Sequence, residues 1–366
     1  MKIRTNVKAG YVGHQHNQKV TRGLNVESGV KAGDMKLLTT PSMRYELEEV
    51  WFPCSLDILG WDEEFHELML NDQLRMAAYR EAIRQAVWPG AVVLDLGAGT
   101  GVLAQWALEA GAKRVYGIEV NHKILGLAER RLGAAGLADR FKPVNGLSYD
   151  VELPEKVDLI ISELIGNFGD NEDCHRILAD AWGRFLKPGG LMLPLRVTTF
   201  FVPVSSLMAH EQILSGVCKS VSRTHDLRKL LERLGLDDPF DVYYDVIVPE
   251  SRYLSAPLKA KVFDLGSDRA DTAYRIDLSF TASAPGTLTG FKGYFIADLT
   301  EQIRLDISGS DIESRLTSDS WKHAYLPLRR PIDVRSGDSI KLTLERKANE
   351  DKSLASTFRY RWQATL

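Results

Sequence analysis

Two glutamates set nine residues apart, Glu163 and Glu172, carry the clearest chemical potential in this chain of 366 residues. They bracket the loop Ser162-Glu163-Leu164-Ile165-Gly166-Asn167-Phe168-Gly169-Asp170-Asn171-Glu172, whose two glycines let it fold back and aim both carboxylates into one pocket. A planar cation rich in N–H donors suits such a pair, because a guanidinium presents a fork that carboxylates match bidentately. Both acids also suit structural posts. Glu163 stands at a strand end and Glu172 at a helix start, where the macrodipole favours negative charge.

A second cluster lies upstream. Leu94-Asp95-Leu96-Gly97-Ala98-Gly99-Thr100-Gly101 follows a short apolar run and precedes a helical pattern. Its glycines permit a tight turn and close approach of a ligand. Gly117-Ile118-Glu119 then places a carboxylate 24 residues beyond Asp95, where an acid can bind both ribose hydroxyls. The G-x-G-x-G spacing differs from the dinucleotide G-x-G-x-x-G, and the Gly-Lys-Ser/Thr of a phosphate-gripping loop is missing. A nucleoside without a pyrophosphate is expected, and S-adenosylmethionine fits.

The elements that must position these clusters can be read from periodicity. Leu68, Leu70, Leu74, Ala77, Ala78, Ile83 and Val87 recur near a 3.6-residue period, so one helix is expected from Phe65 to Val87, stopped by Pro89-Gly90. Ala91–Leu96 reads as a buried parallel strand. Strands at 114–119, 141–144 and 157–161 alternate with helices at 102–110, 122–136 and 173–186, and Lys187-Pro188-Gly189-Gly190 reads as a turn. That alternation predicts a doubly wound, Rossmann-like α/β domain. After Pro194, short β-prone runs (Val197–Val204, Tyr243–Val248, Leu258–Phe263, Tyr274–Phe280, Phe291–Ala297, Ile340–Leu344 and Phe358–Trp362) predict an antiparallel barrel or sandwich. A helical insertion at about 205–240 carries an apolar stripe of Leu227, Leu230, Leu231, Leu234 and Leu236. The expected division is a basic N-terminal segment at 1–40, a nucleoside-binding domain at 41–194, and a β-domain with a helical arm at 195–366.

Composition narrows the function. The chain is 44% apolar and 26% charged with a net charge of −3, which excludes a largely disordered chain and offers no global basic excess for nucleic acid. Cys54, Cys174 and Cys218 are an odd number without a short Cys-x-x-Cys spacing, so neither a disulfide framework nor a structural zinc site is expected. No apolar stretch is long enough for a membrane span, and no apolar leader follows Met1. A cytoplasmic, metal-free protein is expected. Residues 1–35 hold six Lys/Arg against two acids, and Thr5–Gly10 half-repeats as Ser28–Gly33. Composition reads this segment as a flexible basic tail; Arg22-Gly23 within it could itself present an arginine to a two-glutamate site.

In these segments the chain resembles the protein arginine methyltransferase family. His66-Glu67-Leu68-Met69-Leu70-Asn71-Asp72-Gln73-Leu74-Arg75 resembles the family's N-terminal helix, Val93–Gly101 its cofactor loop, Gly117-Ile118-Glu119 its ribose-binding strand end, and Ser162-Glu163 to Glu172 its double-glutamate loop. Asp319-Ser320-Trp321-Lys322-His323 lies where the family has Thr-His-Trp, with Ser320 in place of the histidine. The resemblance implies methyl transfer from S-adenosyl-L-methionine to a guanidinium nitrogen of arginine in a peptide or protein or, as the alternative, of free L-arginine (including its internal nitrogen) or a related small guanidine in natural-product biosynthesis. It assigns catalysis to Glu163 and Glu172. For the cofactor it implies Arg75 (on the cofactor carboxylate), Met69, Asp95, Gly97, Gly99, Gly101, Glu119, Ser148 and Tyr149. Trp321 and His323 would join the glutamates around the acceptor, and Asp72 or His323 would relay a proton. It also implies a homodimer formed through the arm. A noncatalytic cofactor-binding regulator is the alternative of another class; the intact glycine, Glu119, Glu163 and Glu172 set speaks against it.

Overall fold

A computed structural model describes residues 6–7, 46–56, 61–220, 226–267, 269–308, 321–347 and 360–366. The expected helix over 65–87 is two helices, α1 (Glu63–Leu70) and α2 (Gln73–Ala86). Asp72 divides them because its carboxylate caps α2, accepting from the Arg75 N–H at 3.1 Å, just as Asp62 caps α1 through Phe65 N–H at 3.0 Å. The apolar period runs on across the break, so periodicity alone hides it.

Five parallel strands follow: β1 (Val92–Leu96), β2 (Arg114–Glu119), β3 (Phe141–Asn145), β4 (Val157–Ser162) and β5 (Leu186–Leu193). Their order is β3-β2-β1-β4-β5. Helices α3 (Val102–Glu109), α4 (His122–Ala134) and α5 (Cys174–Phe185) make the crossovers. The order reverses between β1 and β4, and ligands of such sheets bind at the carboxyl ends of strands at that switch. Both chemical clusters leave the sheet there. Gly101 shows why the cofactor loop needs glycine: its φ is +78°, and a Cβ would stand 2.8 Å from the Ala128 Cβ. The expected turn at 187–190 lies within β5, where the pairing with β4 shifts register between Val157 and Leu159.

The antiparallel half begins with β6 (Arg196–Val204). After it come the arm helices α6 (Leu207–Leu214) and α7 (Leu227–Arg233), then β7 (Tyr244–Val246), β8 (Leu258–Asp264), β9 (Tyr274–Thr281), β10 (Gly286–Asp298), β11 (Arg304–Asp306), β12 (His323–Val334), β13 (Ser339–Arg346) and β14 (Tyr360–Thr365). Strand β10 is the spine of a seven-stranded sheet: it pairs with β6 on one side and with β11 and β12 on the other. Strands β9, β13 and β14 form a three-stranded sheet. Phe201, Phe291 and Leu326 of the first sheet share one core with Phe280, Leu342 and Leu344 of the second, and Phe168 from the double-glutamate loop joins them. Strand β12 is absent from the sequence expectations because Pro327 and Pro331 break its β signal. The arm's stripe is covered within the chain: Leu227, Leu230 and Leu231 are buried with Val50, Phe52 and Val202. The expected basic segment lies outside the described residues, save Asn6 and Val7, whose backbones pair in parallel with Arg304 and Leu305.

Candidate functional site

A cleft of about 180 Å³ opens at the carboxyl ends of β1 and β2, lined by the glycine loop, Glu119, Met69, Arg75, Ser148, Tyr149 and Glu163. The Glu119 carboxylate is fixed by backbone donors, accepting from Gly99 N–H at 3.0 Å and Asn121 N–H at 2.9 Å. Each oxygen keeps acceptor capacity for a hydroxyl. At Gly99 (φ +52°) a Cβ would stand 3.6 Å from the His66 ring, so the loop's bareness keeps this wall of the cleft close. Trp61 and His66 also line it. His66 Nδ1 donates to the Asp62 carbonyl at 2.8 Å, and burial lowers its pKa, which favours a neutral ring with Nε2 as acceptor. This chemistry and shape fit a sulfonium nucleoside carrying ribose hydroxyls.

Asp95 sits differently. It is fully buried beneath the loop rather than on the cleft wall, and its Oδ2 accepts from Ala104 N–H at 2.9 Å, which holds the first turn of α3. Burial pushes its carboxyl up to about 7, the Ala104 bond opposing and Glu119 adding to the rise.

A second, smaller cavity of about 30 Å³ adjoins the first and shares Trp61, Met69, Arg75 and Glu163 with it. Glu172, Trp321, Asn167, Asp245, Lys322, Cys54 and Ser55 line it as well. Glu163 and Glu172 therefore meet at one cavity. The loop between them is tied down from several sides. Gly166 and Gly169 exchange backbone bonds at 3.2 and 2.9 Å. Asn171 accepts from Phe168 N–H at 3.1 Å and donates to Asn167 Oδ1 at 2.9 Å, while Asn167 Nδ2 donates to Asp245 at 2.7 Å. The Thr199 hydroxyl donates to the Phe168 carbonyl at 2.7 Å; at Gly169 (φ +111°) a Cβ would come within 2.7 Å of that hydroxyl.

The Arg75 guanidinium pairs with Glu163, and its Cζ lies 4.9 Å from the centroid of the Trp321 ring. Trp321 Nε1 donates to the Ile165 carbonyl at 2.8 Å. A guanidinium between a carboxylate and an aromatic face is thus a geometry that this cavity already holds. Burial raises the Glu163 carboxyl, with Arg75 opposing. Glu172 is pushed up to about 8, chiefly by burial and then by the charge on Glu163, with Arg75 opposing and Asp245 adding to the rise.

The role expected of His323 does not survive the geometry. His323 lies in the β-domain core and not on either cavity wall: Val248 N–H donates to its Nδ1 at 3.2 Å and its Nε2 donates to the Ile307 carbonyl at 3.1 Å. Both ring nitrogens are spent on backbone, so it neither touches the acceptor nor relays a proton. Asp72 caps α2 and is off both walls, yet its charge bears on the Glu163 carboxyl and raises it. Sequence reading missed Asp245, hidden inside an apolar strand. It also passed over His66, although that residue stands in the segment resembling the family's N-terminal helix.

Two family models match in succession, one described as a methyltransferase domain over residues 93–190 and one as the PRMT5 oligomerisation domain over residues 196–364. Protein arginine N-methyltransferase 6 of Xenopus laevis is 27% identical over 81% of this chain and 86% of its own length. Across both segments the chain is similar to protein arginine N-methyltransferases. Arginine N(omega)-methyltransferase of Streptomyces achromogenes subsp. streptozoticus is 28% identical over 76% of this chain and 75% of its own. Probable protein arginine N-methyltransferase 6 of Arabidopsis thaliana reaches 42% identity, but over 38% of this chain, and the match spans about a third (32%) of that relative. Among solved structures, the Trypanosoma brucei PRMT1 enzyme-prozyme heterotetrameric complex with AdoHcy superposes with a TM-score of 0.65 at 21% identity, covering 82% of this chain and 97% of that one; this likeness concerns the fold.

Proposed function

We propose that the chain transfers a methyl group from S-adenosylmethionine to a guanidinium nitrogen of arginine. The observation that carries the reading is the meeting of Glu163 and Glu172 at a cavity that already accepts a guanidinium and opens on the nucleoside cleft. S-adenosylmethionine supplies, when bound, an electrophilic methyl on a sulfonium. Glu119 takes the ribose hydroxyls, the glycine loop lies against the nucleoside, Ser148 and Tyr149 face the adenine edge, and Arg75, which lines both cavities, reaches the cofactor carboxylate. Glu163 and Glu172 hold the acceptor cation and draw its charge away from the attacking nitrogen, leaving a lone pair aimed at the cleft. Glu172, made more basic than an ordinary carboxylate by its surroundings, is the group at the cavity suited to receive the proton released after transfer.

A second reading takes free L-arginine as the acceptor, supported by the similarity to a relative named as an arginine, and not a protein arginine, methyltransferase. Incubation with labelled cofactor and, separately, free arginine, an RG-rich peptide and the chain alone separates these. Acid hydrolysis then identifies the methylarginine, and label on the chain itself, mapped by peptide mass spectrometry to Arg4 or Arg22, would reveal methylation of the N-terminal segment. No label in any arginine compound, with cofactor still bound, would return the chain to the regulator class. Replacing Glu119 by alanine is expected to weaken S-adenosylhomocysteine binding by about 10- to 100-fold, the worth of hydrogen bonds to a charged acceptor, as read by calorimetry.

Homodimerisation is part of the proposal, though not through the stripe of α7. The apolar surface of the arm lies instead on α6 and just beyond it, where Leu207, Met208, Leu214 and Val217 are all at least half exposed. Light scattering should give twice the 41.0 kDa chain mass, and Leu207→Glu with Leu214→Glu should give single chains. A wild-type monomer at micromolar concentration would end the idea. We place the activity in the cytoplasm, in keeping with three buried, unpaired cysteines. No helix among the described residues is long and apolar enough to cross a membrane.

A further inference from the structure

Asp170 and Asp173 flank Glu172, two residues before it and one after, yet neither lines a cavity; they are 1% and 4% exposed. The three-stranded sheet turns a single row of side chains toward them. Tyr274 on β9 stands opposite Arg346 on β13, and Arg346 stands opposite Tyr360 on β14. Both phenols donate to Asp170 Oδ1, at 2.8 and 2.9 Å. Arg346 Nε lies 3.2 Å from Asp170 Oδ2, while its Nη2 donates to Asp173 Oδ1 at 2.8 Å. Arg176, in the first turn of α5, pairs with the other Asp173 oxygen at 2.5 Å.

The backbone gives the second observation. Asp173 has a φ of +61°, one of only two non-glycine residues in the left-handed region among those described. A residue with a side chain stays there when its surroundings hold it. Here both of its carboxylate oxygens are held by arginines. Two acids and an arginine buried together cost desolvation that apolar packing would avoid, so the network's gain is sought in the conformation it imposes.

We propose that Arg346 is a positioning residue for methyl transfer: by gripping Asp170 and Asp173 it fixes the chain on both sides of Glu172 and sets where that carboxylate points. This rests on the role given above to Glu172. The row Tyr274–Arg346–Tyr360 thereby couples the far sheet of the β-domain to the acceptor cavity some 170 residues earlier in the chain.

The test compares full-length Arg346→Lys, Tyr360→Phe and Asp173→Gly with the wild type. Lysine keeps the charge but grips only one acid at a time. Glycine relieves the backbone at position 173 but removes its carboxylate. Arg346→Lys and Asp173→Gly are each expected to lower kcat at least 10-fold, with KM for the cofactor within about twofold, and Tyr360→Phe to lower kcat by a smaller factor. The midpoint pH of arginine binding, read by calorimetry without turnover, should fall by about one unit from about 8 as Glu172 gains water and moves from Glu163. Wild-type kcat and midpoint in both main variants would overturn the proposal, as would lost kcat with an unmoved midpoint, the mark of a merely structural role. If Arg346→Lys does not fold, the other two variants decide by the same criteria. A wild-type chain that binds arginine but transfers no methyl refutes the reaction, and the binding midpoints then judge the clamp by themselves.

Discussion

Glu172→Gln is expected to lower kcat by about 10²- to 10³-fold while S-adenosylhomocysteine affinity stays within about threefold. The magnitude is that of removing one preorganised electrostatic partner from a transition state. The cofactor is spared because Glu172 lines the acceptor cavity and not the nucleoside cleft. Stability is spared as well: with its carboxyl pushed up to about 8, Glu172 is largely protonated at neutral pH, and glutamine imitates that neutral form. Glu163→Gln is expected to lower kcat at least as far. It also releases Arg75 from its ion pair and leaves it available to the cofactor carboxylate, so KM for the cofactor should not rise with the loss. Steady-state kinetics with a thermal melt on each variant checks both statements. Equal kcat in wild type and Glu172→Gln would remove the carboxylate pair from the mechanism.

The second large effect concerns pH. Before the acceptor arrives, Glu172 holds its proton below about 8, because burial and the Glu163 charge both penalise the ionised form. A bound guanidinium reverses that preference, since a cation at contact favours the carboxylate. Binding therefore releases about one proton below that pH and none well above it. Linkage gives the sign: acceptor affinity rises about tenfold per pH unit up to about 8 and then levels. Calorimetry in buffers of different ionisation enthalpy measures the proton directly. Glu172→Gln should abolish the release and flatten the profile. An affinity that falls with rising pH between 6 and 8 would contradict this account of the site.

Much of this arrangement was legible in the residues. The alternation from Ala91 to Pro194 announces a parallel sheet because crossover helices leave a 3.6-residue period between apolar runs. Spacing alone put Glu119 and the glycine loop at adjacent strand ends. What the residues could not disclose were contacts made across long sequence separations. Asp245 reads as one acid in a β-prone run, and only the pairing of β7 with β12 and the bond from Asn167 bring it to the acceptor cavity. His323 looks like a substitute for a missing family histidine until the β-domain core supplies a backbone partner for each ring nitrogen. The stripe on α7 looks like an interface until Val50, Phe52 and Val202 are found packed on it. Asp72 shows the converse: a capping residue is local, and an Asp three residues before Arg75 was there to be read as a helix start.

The central claim is that one flat cation is gripped by two carboxylates beside the cofactor. A crystal structure of the full chain with S-adenosylhomocysteine and arginine tests it most directly. The account predicts the ligand guanidinium between Glu163 and Glu172, one nitrogen facing the sulfur, and Arg75 turned to the cofactor carboxylate. Arginine bound elsewhere, with Arg75 still on Glu163 while the nucleoside fills its cleft, would contradict it.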